Sequence, residues 1–149
     1  PLTRLFELAA RSLHSAGFAD GLYPAQWTAL RYLAHAEPND RTSAKIARFQ
    51  QMAVGPVTRT VRTLISKGLV EEAGAADHHR SKRLDLTQKG VRLLSGDPLI
   101  AVDLELAQAT PEERRMMGLV LGRVISSLQS PGETSGVELS LRDDKTDPD

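Results

Sequence analysis

Residues 46–90 read IARFQQMAVGPVTRTVRTLISKGLVEEAGAADHHRSKRLDLTQKG, and this stretch decides the fold. Just before it, Thr42 or Ser43 can cap a short helix from Ala44 to Phe49 that turns Ile46 and Ala47 inward. Gln50, Gln51 and Met52 make a compact turn. A second helix then starts near Gly55 and Pro56, where proline sacrifices only an amide that has no intrahelical partner. It runs to Ser66 and Lys67 and stops at Gly68, the residue suited to a left-handed cap. A strand begins at Leu69–Glu72, Gly74–Asp77 turns it, and Arg83–Leu86 returns with polar and apolar residues alternating. Thr87 caps the next helix, Gln88 to about Leu94. Two helices about a tight turn, followed by a hairpin, make a winged helix-turn-helix.

The second helix carries the functional reading. At 100° per residue Val57, Val61 and Leu64 share about one quadrant and define a buried side. Arg59, Arg62, Thr63 and Ser66 lie opposite, joined by Gly55, while Pro56, Thr58 and Thr60 flank the stripe. Small residues allow close approach to a major groove, threonines offer groups to phosphates, base edges or a thymine methyl, and arginine can bridge guanine. Charge supports the same reading. Residues 42–92 hold ten Lys/Arg against four acids, Glu71, Glu72, Asp77 and Asp85, inside a chain of formal charge zero. Concentrated positive charge on a groove-shaped module is the footprint of duplex DNA binding. Lys45 and Arg48 on the first helix, and Lys82 and Arg83 on the hairpin, are candidate phosphate clamps.

The same run, above all Val57-Thr58-Arg59, Leu64, Lys67-Gly68-Leu69-Val70 and Leu86-Thr87-Gln88-Lys89-Gly90, resembles the DNA-binding core of the MarR family (multiple antibiotic resistance regulators). The likeness extends over roughly residues 2–129. It implies a homodimeric, ligand-responsive transcription factor, often a repressor, on a near-palindromic operator. It also implies an arginine at the wing tip for the minor groove, which falls on Arg80. The family's bracing aspartate would fall on His78, with Asp77 one residue early.

Outward from the core, Leu5, Phe6, Ala9, Leu13 and Ala16 recur at helical steps from Leu2 to about Phe18, before Gly17 and Asp20-Gly21 end the helix. Pro24 opens another helix containing Trp27, Leu30 and Leu33, broken by Glu37–Asp40. Gly96-Asp97-Pro98 interrupts the helix after Thr87, and the apolar pattern resumes through Leu99, Val102, Leu104 and Leu106. Thr110-Pro111-Glu112-Glu113 opens a last helix. The expected fold is mainly α with a small β wing: residues 1–22 an N-terminal dimerisation helix, 23–92 the winged helix-turn-helix, 93–129 C-terminal dimerisation helices, and 130–149 an acidic, disordered tail. Leu5, Phe6 and Leu13, with Leu119, Val120, Val124 and Leu128, supply the faces a two-fold dimer would bury.

Phe6, Arg11, His14, Tyr23, Trp27 and Arg31 are candidates for a small aromatic or phenolic ligand, as the resemblance suggests, although packing is the stronger role for Trp27. The chain has no cysteine, so disulfides and thiolate metal sites are excluded. The adjacent His78 and His79 lack further ligands at useful spacing, so neither a metal nor any other cofactor is expected. Gly55-Pro56-Val57-Thr58 lacks the Gly-Lys-Ser/Thr continuation of a phosphate loop, and no nucleophile–base arrangement occurs; an enzyme is not expected. No apolar run approaches the ~20 residues of a membrane span and no signal-peptide pattern is seen, which favours a cytoplasmic protein. Pro1 in place of methionine suggests that a short N-terminal piece precedes the sequence. The rival reading is a winged helix that offers its basic face to an acidic protein.

Overall fold

A computed structural model describes residues 1–75 and 81–129. The hairpin tip with Asp77, His78, His79 and Arg80, and the acidic stretch 130–149, lie outside the described residues. The chain divides into two compact units, Pro1–Leu104 and the residues from Glu105 onward.

In the first unit the order is α1 (Leu2–Ala16), α2 (Pro24–His35), a 3₁₀ turn (Pro38–Asp40), α3 (Ser43–Gln50), α4 (Val54–Ser66), β1 (Val70–Ala75), β2 (Lys82–Leu86) and α5 (Gln88–Leu94). α6 (Ile100–Gln108) spans the division, and α7 (Pro111–Gln129) lies in the second unit. The strands pair antiparallel, Val70 with Leu86 and Glu72 with Leu84, with an irregularity between Glu72 and Ala75. This is a mainly helical winged helix-turn-helix, as the sequence led one to expect.

Local signals act where the sequence placed them. Thr42 caps α3, its hydroxyl accepting from the Lys45 amide at 3.2 Å, and Thr87 caps α5, accepting from the Gly90 amide at 3.1 Å. Pro24 opens α2, and the Gln26 side chain accepts from the Tyr23 amide at 2.9 Å. Gly68 takes φ +70°, the left-handed value that ends α4. Within the second unit, Thr110 and Glu113 form the reciprocal cap of α7. The Glu113 carboxyl is held below its usual pKa by the bond from the Thr110 amide, then by that from the Thr110 hydroxyl.

Several boundaries differ from expectation. α1 ends at Ala16 rather than near Phe18, with the Gly17 amide donating to the Leu13 and His14 carbonyls as its last turn. α3 reaches Gln50, since Gln51 supplies the left-handed turn itself at φ +54°. α4 begins at Val54, one residue before the Gly55–Pro56 start, with Ala53 extended before it. β1 runs through Gly74, at φ +82°, to Ala75 instead of turning at Gly74.

The core of the first unit lies between α2, α3, α4 and the hairpin. Trp27, Leu30, Leu33, Ile46, Val57, Val61, Leu64, Val70 and Leu84 are buried there. Trp27 is fully buried and its indole N–H donates to the Ala19 carbonyl at 3.3 Å, so the largest apolar group is also polar-satisfied.

A long-range ion pair fixes α2 against the segment after α5. Arg31 grips Asp97 with Nε and one terminal nitrogen, at 2.5 and 2.7 Å, and Asp97 also accepts from the Leu99 amide at 2.8 Å. Burial pushes the Asp97 carboxyl up, but the Arg31 hydrogen bond, the Leu99 amide and the Arg31 charge outweigh it, so its pKa falls below the usual value. A carboxylate with a depressed folded-state pKa stabilises above its unfolded pKa of ~4, and that contribution is lost as pH falls through the folded value. Asp97→Asn is therefore expected to cost about 2 kcal/mol at neutral pH. The gap from the wild type should close as pH falls below ~4. Denaturant titrations across that range provide the check; a gap independent of pH would contradict the ion-pair account.

Candidate nucleic-acid interface

The candidate interface centres on α4. Val57, Val61 and Leu64 are buried at 1, 4 and 0 % exposure, while Arg59, Arg62, Gly55 and Pro56 are exposed. Thr58, Thr60 and Thr63 are half-buried at the margins. The angular reading thus places each side correctly, with the aliphatic stripe on the core and the arginines in solvent. Among the described residues no carboxylate lies within 4.0 Å of Arg48, Arg59 or Arg62.

The hydroxyls behave differently from expectation. Thr58, Thr60 and Thr63 donate back to the carbonyls of Val54, Pro56 and Arg59 at 3.0, 3.2 and 3.1 Å, and Ser66 donates to Thr63 at 2.8 Å. Their protons are spent inside the helix. What the hydroxyl oxygens keep is acceptor capacity, which suits a cytosine or adenine amino group better than a phosphate, which needs donors.

The C-terminal end of α4 is held by the first turn of α5. Lys89 Nζ donates to the Lys67 carbonyl at 2.8 Å, the Thr87 hydroxyl to Gly68 at 2.7 Å, and the Thr87 amide to Leu69 at 3.1 Å. Three consecutive carbonyls left over by the helix end are thereby satisfied. The close approach requires Gly90, where a Cβ would stand 2.2 Å from the Leu69 oxygen. Lys67 in turn donates to the Gly21 carbonyl at 3.2 Å. The lysines of this run thus serve as backbone clamps, a role their charge alone does not announce.

The remaining candidate clamps divide. Lys45 pairs with Asp40 at 3.1 Å, Lys82 with Glu72 at 2.6 Å, and the half-buried Arg83 with Asp85 at 3.1 Å, while Arg48 is exposed. Asp85 also receives Arg41 at 3.0 Å, and the Arg41 carbonyl accepts from the Leu84 amide at 2.8 Å, which ties the hairpin to the chain just before α3. Arg41 was not singled out in the sequence; its partner lies 44 residues away, so no local spacing reveals it. A groove of about 350 Å³ runs between the start of α3, α4 and the hairpin, lined among others by Ser43, Thr58, Arg62, Glu72 and Lys82.

The six candidate ligand residues do not converge. Phe6 and Arg11 are on the exposed α1, where Arg11 pairs with Glu7 at 2.8 Å. His14 stacks edge-on with Phe18, which also meets the exposed Tyr23. Trp27 belongs to the core, and Arg31, 5.9 Å from the Trp27 ring centre, is committed to Asp97. Of the six, Arg31 lines a cleft of about 730 Å³, together with His35, Glu71, Asp85, Asp97 and Asp103.

An exposed, arginine-bearing helix braced by a hydrophobic stripe and a β wing defines the winged-helix class. Residues 20–81 match the model of the MarR family, so over that stretch the chain is similar to this family. Comparison with curated proteins finds no match. Among solved structures, S. aureus MepR in its DNA-binding conformation superposes with a TM-score of 0.70 at 25 % identity, covering 87 % of this chain and 99 % of that one. The S. aureus MepR–DNA complex gives 0.66 at 23 % identity, covering 85 and 98 %. S. aureus MepR bound to ethidium bromide gives 0.55 at 24 %, covering 87 and 97 %. At the lower identities the likeness is one of fold.

No helix among the described residues is long and apolar enough to cross a membrane.

Proposed function

We propose that this chain is a sequence-specific repressor that binds a palindromic operator as a homodimer and releases it in response to a small ligand. The observation that carries the reading is α4: Arg59 and Arg62 in solvent, directly backed by buried Val57, Val61 and Leu64. Gly55, Pro56, Thr58 and Thr63 are assigned to that surface and Lys45, Arg48 and Lys82 to flanking phosphates, the two lysines on exchange from Asp40 and Glu72; Arg80 is assigned to the minor groove from the sequence alone. MepR, similar in fold, is known in complex with DNA, which supports the same use here.

The homodimer reading rests on α1 and α7. Neither contains a buried residue, yet Leu5, Phe6 and Leu13 on α1, and Leu119 and Leu128 on α7, are exposed, with Val120 and Val124 half-buried. Apolar helix faces of this extent are ordinarily covered by a partner. A two-fold axis would set two α4 helices in successive major grooves about 34 Å apart.

For the ligand, MepR bound to ethidium bromide supports a small-molecule response. The cleft beside Arg31 has a size ligands occupy. Its lining departs from the phenolic anion expected from the resemblance. Asp85 and Asp97 are neutralised by Arg41 and Arg31, which leaves Glu71 and Asp103 as surplus negative charge and favours an aromatic cation.

Selection of bound fragments from genomic DNA, with sedimentation of the free protein and of its complex, tests the whole reading. A dimer enriching one palindrome, with affinity that falls steeply with salt, is the expected result. A monomer at micromolar concentration removes the two-fold operator. Absent or sequence-blind DNA binding, with capture of an acidic protein instead, would favour the rival interaction module.

A further inference from the structure

One carboxylate sits where a DNA-binding surface should least tolerate it. Glu72 lines the groove between the α3 start and α4, together with Ser43, Thr58 and Arg62, and its Oε2 receives Lys82 Nζ at 2.6 Å. The neighbouring Glu71 points to the other face of the strand and lines the cleft beside Arg31. Glu72 stands opposite Leu84 and Lys82 opposite Ala75, with an irregularity between the two pairings.

We propose that Glu72 is an affinity-limiting residue of the DNA interface, a carboxylate that occupies Lys82 in place of a phosphate and must surrender it when DNA arrives. This rests on the DNA-binding reading above. Three observations carry it. The pair lines the same groove as the recognition-helix residues Thr58 and Arg62. Its side chains are 69 and 45 % exposed, so water screens the attraction and a polyanion competes for the lysine readily. The α3 start and Arg62 both favour an anion in the groove, so a bare Glu72 carboxylate left behind opposes the phosphate that replaces it.

The exchange has a thermodynamic signature. A lysine that moves from solvent to a phosphate releases one counterion, a slope of about 0.9 in log K against log salt. When the lysine leaves a carboxylate, the bare carboxylate repels the duplex, and because salt screens that repulsion it offsets part of the slope. Removing the Glu72 charge should therefore raise affinity and restore the missing slope. Because the effect acts through a phosphate contact, it should be the same on all sequences.

The test compares wild type, Glu72→Gln and Glu37→Gln on a mixed-sequence 40-base-pair duplex across about 50 to 200 mM salt. Both substitutions remove one exposed negative charge and neither touches the buried stripe. Glu72→Gln is expected to bind about 3- to 10-fold more tightly, with a steeper slope, and Glu37→Gln to stay within about twofold of wild type. Equal gains from both variants would reduce Glu72 to bulk charge and overturn the proposal, as would an unchanged Glu72→Gln slope. Wild type that binds no DNA would overturn the DNA-binding reading itself, a result distinct from either.

Discussion

Joint replacement of Arg59 and Arg62 by alanine is expected to abolish operator discrimination while leaving the fold intact. Both side chains are exposed, and among the described residues neither has a carboxylate partner, so their loss removes no structural contact. A bidentate arginine–guanine contact is worth about 1–3 kcal/mol of discrimination, so two together amount to on the order of 100-fold or more between operator and mixed-sequence DNA. Thermal unfolding should move by less than about 0.5 kcal/mol equivalent, as for other exposed positions. The decisive comparison is the ratio of affinities for the two DNAs, measured at one salt concentration. If affinity falls equally on both, the arginines hold phosphates rather than bases. If it does not fall at all, the role of α4 as the reading helix is lost.

Gly90→Ala should have the largest effect on the fold. An added methyl group would stand 2.2 Å from the Leu69 carbonyl oxygen and 3.1 Å from its carbon, both of them backbone. No side-chain rotation relieves this; α5 must move away from β1. Such a shift separates the Thr87 hydroxyl from Gly68 and the Thr87 amide from Leu69, so overpacking and broken hydrogen bonds add. The expected cost is about 3 kcal/mol or more, enough to lower the melting temperature of a chain this size by about 10 °C. Gly96→Ala is the control, because the nearest atom to its added Cβ is a carbonyl oxygen at an ordinary 3.6 Å. A Gly90→Ala protein as stable as wild type would mean that the approach of α5 to β1 is looser than described.

These two positions show what the chain discloses before it folds. Val57, Val61 and Leu64 define their own side because helical periodicity is a property of neighbours, and Arg59 and Arg62 follow by angle. Thr42, Thr87, Gly68 and Thr110 announce boundaries for the same reason. Long-range partners are silent: nothing near Arg31 indicates that Asp97 will neutralise it, so an arginine suggestive of an anion pocket proves to be a strut. Lys67 and Lys89 count as positive charge in the sequence, yet they spend it on the Gly21 and Lys67 carbonyls. Glu72 and Asp40 likewise occupy lysines that composition alone assigns to phosphate. Trp27 carries both signals, an aromatic wall and a core anchor, and burial gives it to the core.

The grip of Thr87 and Lys89 on the end of α4 separates two sets of positions along one short helix. Val57, Val61, Leu64 and the carbonyls of Lys67, Gly68 and Leu69 are answerable to the interior, whereas the exposed Arg59 and Arg62 are answerable only to what lies outside. Descendants of this chain can therefore exchange these two residues, one at a time, with little loss of foldedness at each step. The module offers a fixed mount with replaceable letters, and new target sequences lie a few substitutions away.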